Sequence, residues 1–179
     1  MKKIFVLLLV AGSLVYGDGW FEEGFSFGAK KAGVKPVDNK LYIEECGSCH
    51  FAYQPGLLPE RSWKKLMANL EDHFQTDASL EEQDRKTLLA YLIKNSADKA
   101  HQYKRSKKID RSIPSSQTPI AITQTPYFKH EHYEIPKRFI IQKEVRSLAN
   151  CAACHTKADK GLYSESFIAI PNYGRWDDD

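Results

Sequence analysis

From Pro59 onward the apolar residues fall into a helical rhythm. Trp63, Leu66, Met67, Leu70 and Phe74 recur three or four apart, the spacing that lines one face of an α-helix. The pattern predicts a helix that opens at Pro59 or Glu60 and carries all five side chains. A second stripe, Leu88, Leu89, Leu92 and Ile93, predicts another helix, with Ser79 and Glu82 spaced as a capping box at its start. Upstream, Asp38 is placed to cap a short helix from Asn39, because a side-chain carboxylate accepts from the free N–H groups of a first turn. Downstream, Pro126 opens a short helix through Tyr133. A further helix is expected from about Phe139 into Cys151, and Gly161 reads as a stop signal. Strand signals are sparse. Ile120-Ala121-Ile122 and its near copy Ile168-Ala169-Ile170 suggest a small paired ribbon.

The breakers between these patterns divide the chain. Residues 52–59 form an apolar loop with Pro55, Gly56 and Pro59 as punctuation. Residues 112–126 hold Pro114, Pro119 and Pro126 among Ser and Thr, which marks a linker between two halves. Just before it, Lys99, Lys104, Arg105, Lys107, Lys108 and Arg111 crowd together. This run reads as a solvated face on a fraying helix, with a docking patch for an acidic partner as the rival. Residues 18–37 contain Trp20, Phe21, Phe25 and Phe27 without a clean period and read as a mobile leader. The expected organisation is therefore a leader over 18–37, an N-terminal domain over 38–111, the linker over 112–126 and a C-terminal domain over 127–179.

The first seventeen residues stand apart. Lys2 and Lys3 precede an apolar run through residues 4–10 that continues to Leu14 and Val15, with small Gly17 after it. That is the layout of a secretory signal peptide. About 20 apolar residues are needed to span a bilayer, and this run is shorter. Export to the periplasm is the expectation. In the full 179-residue chain, hydrophobic residues make up 42% and the mean hydropathy is −0.51, which excludes a polytopic membrane protein and a wholly disordered one. A net charge of +3 is too small to imply nucleic-acid binding.

Export places the four cysteines in an oxidising compartment, where disulfides are usual. Their spacing points elsewhere. They occur as Cys46-Gly47-Ser48-Cys49-His50 and Cys151-Ala152-Ala153-Cys154-His155, and Cys-x-x-Cys-His is the attachment motif of c-type haem. Two thiols in this spacing reach the two vinyl groups of one porphyrin and form thioethers. The adjoining histidine then supplies the proximal iron ligand. A thioredoxin-like pair needs a βαβ context and no histidine, and a zinc site would have to join hooks far apart in the chain. Two covalent haems are therefore expected. Each half has too little apolar sequence to fold well alone, so haem must serve as core.

The sixth ligand decides what such irons can do. Apart from Met1 the only methionine is Met67, so histidine is favoured; His73, His101, His130 and His132 remain. His73 shares the expected helix face of Leu66 and Leu70, and a buried imidazole is costly unless paired or ligating. His130 and His132 lie two apart and cannot share a helix face, so at most one ligates. His132 has the better apolar company in Phe128, Tyr133 and Ile135; His130 stays a rival. His101 lies among basic residues and is expected to be exposed.

The sequence as a whole resembles the dihaem cytochrome c family. The resemblance rests on Tyr42-Ile43-Glu44-Glu45-Cys46-Gly47-Ser48-Cys49-His50, Pro55-Gly56-Leu57-Leu58-Pro59, Arg61-Ser62-Trp63 and Leu70-Glu71-Asp72-His73-Phe74. It continues through Asp77-Ala78-Ser79-Leu80, Thr125-Pro126-Tyr127-Phe128, Ala149-Asn150-Cys151-Ala152-Ala153-Cys154-His155 and Ile168-Ala169-Ile170-Pro171. It implies a mainly α fold, with a cytochrome c-like helical N-terminal domain and a smaller, irregular C-terminal haem domain. It implies bis-histidine ligation, with His73 on the first iron and His132 on the second. His130 departs from the family pattern, where a basic residue is expected. The implied partners are an oxygen-binding monohaem cytochrome of the SHP type or a membrane b-type cytochrome. The function expected is an exported electron carrier, not an enzyme; the alternative is a haem enzyme or gas-binding protein with one open iron.

Overall fold

Asn39, rather than Asp38, caps the first helix. Its side chain accepts from the Tyr42 N–H at 2.9 Å, and α1 runs over Lys40–Cys46. Asp38 is drawn away by an ion pair with Lys35 at 2.8 Å. These features come from a computed structural model that describes residues 31–176. The proposed signal peptide, most of the leader and the last three residues lie outside the described residues.

The chain is mainly helical. Helix α2 spans Glu60–Met67, α3 Glu82–Lys94 and α4 Lys104–Ser112. Then come α5 at Pro126–His132, α6 at Lys137–Ile140 and α7 at Cys151–Cys154, with short 3₁₀ turns between many of them. The first core joins Tyr42, Leu58, Trp63, Met67, Leu70, Leu88 and Leu92 from α1, α2, α3 and the intervening loop. Burial of a side chain such as Leu88, fully enclosed here, contributes about 1.5–3 kcal/mol. Met67 packs inside this core.

Helix α2 stops at Met67, about two turns before the expected end at Phe74. Asn69 leaves helical geometry, Leu70–Asp72 tightens to a 3₁₀ turn, and Asp72 accepts from the Gln75 N–H at 3.1 Å. Short polar side chains compete in this way with the helical backbone ladder. Phe74 and Gln75 then adopt φ of 53° and 69°, left-handed geometry that costs non-glycine residues roughly 1–2 kcal/mol each. Leu70 remains buried, whereas Phe74 is turned out to solvent.

Other expected boundaries shift for similar local reasons. The capping box at Ser79 does not form. The Ser79 N–H is taken by Asp77 at 2.9 Å, and α3 begins at Glu82 with Glu81 as its cap residue. The basic run does not fray from α3. It forms the separate helix α4, whose Ser106 and Ile109 are buried. The helix from Pro126 forms as expected, with Thr125 accepting from the Phe128 N–H. The helix expected from Phe139 to Cys151 is broken into α6 and α7, and Arg146 between them has a φ of 65°. Ala169–Ile170 (β1) pairs antiparallel with Gly174–Arg175 (β2), not with residues 120–122, where a 3₁₀ turn at Ile122–Gln124 intervenes. A close partner across a tight turn costs less closure entropy than a distant one.

A second core ties the halves together. Val34, Leu57, Ala97, Ile109 and Ile113 form it, with Tyr127 and Tyr163 packed alongside. The leader is thus built into the fold at Val34. The Gly33 N–H donates to the Gly161 carbonyl at 2.8 Å, and the Arg105 N–H donates to the Gly33 carbonyl at 2.9 Å. Buried Gln54 bridges the same seam: its amide donates to the Ala158 carbonyl at 2.5 Å and it accepts from the Tyr163 hydroxyl at 2.6 Å.

Gly161 has a φ of +67°, and a Cβ there would run into the Val34 carbonyl oxygen. Gly161→Ala is expected to destabilise the holoprotein by at least about 1 kcal/mol, read from urea unfolding. Gly174→Ala, at φ +104° but with open space around it, should cost less. Equal costs would contradict the close packing of the two halves at this glycine.

Candidate haem sites

Each Cys-x-x-Cys-His motif is presented by a short helix. Cys46 ends α1, and Gly47–Cys49 turn out of it so that His50 follows directly. Cys151 and Cys154 are the ends of α7, and His155 is its C-cap. Three residues apart on a helical turn, the two thiols of a motif share one face. None of the four cysteines is paired in a disulfide.

The proximal histidines face two of the histidines singled out in the sequence. The His50 and His73 ring centres lie 6.1 Å apart with planes inclined at 25°. The His132 and His155 centres also lie 6.1 Å apart, with planes at 72°. A metal held by two imidazoles at about 2 Å each, with about 1.1 Å more from each nitrogen to its ring centre, sets the centres roughly 6 Å apart. Each separation is of the size that one iron held between two imidazoles would need. Among the described residues no three His, Cys, Asp or Glu side chains converge as a bare metal ion would require.

Local hydrogen bonds orient two of the four rings. The His50 Nδ1 lies 2.8 Å from the Phe51 carbonyl, and the His132 Nδ1 lies 2.8 Å from the Phe128 carbonyl. Such a bond makes Nδ1 the donor and leaves Nε2 with the lone pair a metal needs. His132 also stacks on Phe128 at 3.9 Å. Tyr163 packs edge-on against His155 at 5.1 Å. The His155 Nδ1 is buried with no hydrogen-bond partner among the described residues. Burial pushes His155 down to about 4, with His132 and Arg105 adding to the effect. His132 and His73 are lowered too, chiefly by burial. Burial thus works against the protonated form, and the neutral imidazole is the form that ligates metal.

His73 reaches its position from a loop, not from a helix face. Its N–H donates to the Thr76 carbonyl at 2.9 Å, and the Thr76 N–H returns to the His73 carbonyl at 3.1 Å. The Phe74 ring lies edge-on to it at 4.9 Å. His130 is exposed and stacks near Tyr133. His101 is also exposed and pairs with Asp110 at 2.8 Å.

The two sites differ in enclosure. Cys49 and His50 are exposed, while Cys151, Cys154, His155 and His132 are all half-buried. Beside the second motif lies a cavity of about 380 Å³ walled by His132, Cys151, Cys154, His155, Tyr163 and Arg105 among others. The aromatic neighbours were not legible in the sequence. Tyr53 packs 5.0 Å from His50, and its hydroxyl donates to the Ala149 carbonyl at 2.6 Å, two residues before Cys151. Tyr163 performs the matching task at His155 and reaches back to Gln54. Only the placement of Tyr53 three residues after His50 hinted at this.

A family model for dihaem cytochrome c matches residues 42–163. The chain belongs to the dihaem cytochrome c family. A solved dihaem cytochrome c from Rhodobacter sphaeroides is 40% identical, with a TM-score of 0.65, over 73% of this chain and 100% of that one. A dihaem c-type cytochrome from Shewanella baltica is 36% identical, with a TM-score of 0.64, over 78% of this chain and 98% of that one. No curated protein matches the chain. This dihaem cytochrome c therefore binds two covalent haem c groups, one at each Cys-x-x-Cys-His motif. It is an electron-transfer haem protein of mainly helical fold.

Protein prepared without haem attachment is expected to show no cooperative thermal transition in circular dichroism. A sharp two-state melt of the haem-free chain would contradict the role of haem as core.

Proposed function

We propose that this dihaem cytochrome c is an exported electron carrier in which both irons are held by paired histidines. His50 and His73 ligate the first, and His155 and His132 the second. The observation that supports this most directly is the common 6.1 Å separation of the two ring pairs. When bound, each haem supplies an iron that exchanges one electron between its ferric and ferrous states. The residues of the chain do the rest. Cys46, Cys49, Cys151 and Cys154 tether the groups. The two histidines of each pair would both be bound to the iron, which would leave no coordination site for a substrate.

The backbone bonds to His50 and His132 hold the rings in one orientation through the redox cycle, which keeps reorganisation small. Tyr53 and Tyr163 bring the two sites into one connected body. The basic, then apolar, amino-terminal stretch supports export to the periplasm. No described helix is long and apolar enough to cross a membrane. The partner best suited is another haem protein, either an oxygen-binding monohaem cytochrome or a membrane b-type cytochrome that feeds electrons outward.

Carbon monoxide tests the ligation. Ferrous wild type is expected to show no band shift at neutral pH, whereas His73→Ala and His132→Ala should each open one iron and each bind one carbon monoxide. A shift in wild type would favour a gas-binding protein or enzyme with an open iron. Lack of methionine ligation, which raises cytochrome potentials, further predicts two low-potential haems. A redox titration that places both midpoints well above zero would overturn this.

A further inference from the structure

Arg105 belongs to the basic cluster on α4, yet it is not a free surface cation. Its side chain is 25% exposed and points into the seam. One guanidinium nitrogen, Nη1, donates to the Tyr127 hydroxyl at 2.9 Å and to Glu131 at 3.2 Å. The other, Nη2, donates to the Tyr163 carbonyl. Tyr127 and Glu131 lie on α5, the helix that ends at His132, and the Tyr163 ring packs on His155. One fork thus grips the supports of both histidines of the second site. A planar, multidentate, always-charged group suits this task, and an ammonium does not reproduce its geometry.

The same side chain lies in the wall of the cavity beside Cys151, Cys154 and His155. Glu131, Glu134 and Glu165 also line that cavity, and Arg105 is the one guanidinium or ammonium among the described residues that do. The rings of the first site's histidines instead meet Tyr53, the Phe51 carbonyl, Phe74 and each other.

We propose that Arg105 is a positioning residue that also sets the potential of the second haem, as a fixed positive charge that favours its reduced state. The inference rests on the proposed bis-histidine ligation of that haem. Uptake of an electron lowers the charge at the site by one, so a cation held in a wall of low dielectric stabilises the product of reduction more than its precursor. Loss of Arg105 acts twice in the same direction. It removes the positive charge, and it leaves the Glu131 carboxylate without its partner. Arg105 thereby tunes one haem of the pair and leaves the other untouched.

The test uses holoprotein carrying Arg105→Met, Arg105→Lys or Glu131→Gln. Each haem is followed in a potentiometric titration by its own electron paramagnetic resonance signal, which the different ring-plane angles, 25° and 72°, keep distinct. Arg105→Met should shift the reduction equilibrium of the second haem at least tenfold toward ferric, a fall of about 59 mV for a one-electron couple, with the first haem unchanged. Arg105→Lys should retain most of the wild-type potential, and Glu131→Gln should move it upward. No shift in Arg105→Met, an equal shift in both haems, or a fall in Arg105→Lys as large as in Arg105→Met would overturn the proposal. If Arg105→Met does not accumulate with both haems, Glu131→Gln decides: an upward shift of the second haem alone supports the proposal, and no shift or a downward one overturns it. Failure of the ligation reading would show separately, as high-spin iron in wild type.

Discussion

In the proposed ligation two imidazoles meet across a gap of the width one iron needs. Almost every local feature around the haem motifs serves that constraint. An imidazole on a flexible stem has many rotamers, and holding it costs conformational entropy. The chain limits this with short-range devices. Carbonyls of Phe51 and Phe128 bond the rings of His50 and His132. Phe128 stacks beneath His132, and a tight backbone loop at Thr76 carries His73. The positive φ at Phe74 and Gln75 is a local cost borne at the ligand loop, where strain of this kind is characteristic of functional positions.

The gaps are also part of the architecture. The N-terminal half has a true apolar core around Trp63, Met67, Leu88 and Leu92. The C-terminal half buries few large side chains of its own, chiefly Phe128, Val145 and Ile170. It leans on the second core, on the Gly33–Gly161 contact and on Gln54. Each proximal histidine is backed by a tyrosine whose hydroxyl reaches into the opposite half. Stability and redox function therefore share residues, and a change at the seam is felt at the sites.

Much of the site was legible in the sequence because haem attachment imposes a covalent spacing. Cys46, Cys49, His50, Cys151, Cys154 and His155 follow from thiol and vinyl geometry, and no packing can disguise them. The residues alone left His130 as a rival, and His73 and His132 were singled out by the family resemblance; the fold sets these two rings 6.1 Å from His50 and His155. The route was not legible. His73 was expected on a helix face, but Asn69 and Asp72 end that helix early and a loop delivers the ring. Periodicity reports which residues are apolar, and a 3₁₀ turn keeps Leu70 inward as well as an α-helix does. The strand pairing was misread for a related reason: Ala169–Ile170 found a neighbour five residues on, and similarity to residues 120–122 carried no information about distance. Arg105 illustrates the limit most clearly. As one of six basic residues in a run it looked like solvated charge. Only the fold shows it turned inward.

The central claim is that each iron has an imidazole on both faces. Low-temperature electron paramagnetic resonance of the fully oxidised wild-type protein tests it most directly. Near-parallel rings at His50 and His73 and near-perpendicular rings at His132 and His155 should give two different low-spin ferric signals of equal weight. A high-spin signal accounting for either haem at neutral pH would contradict the account.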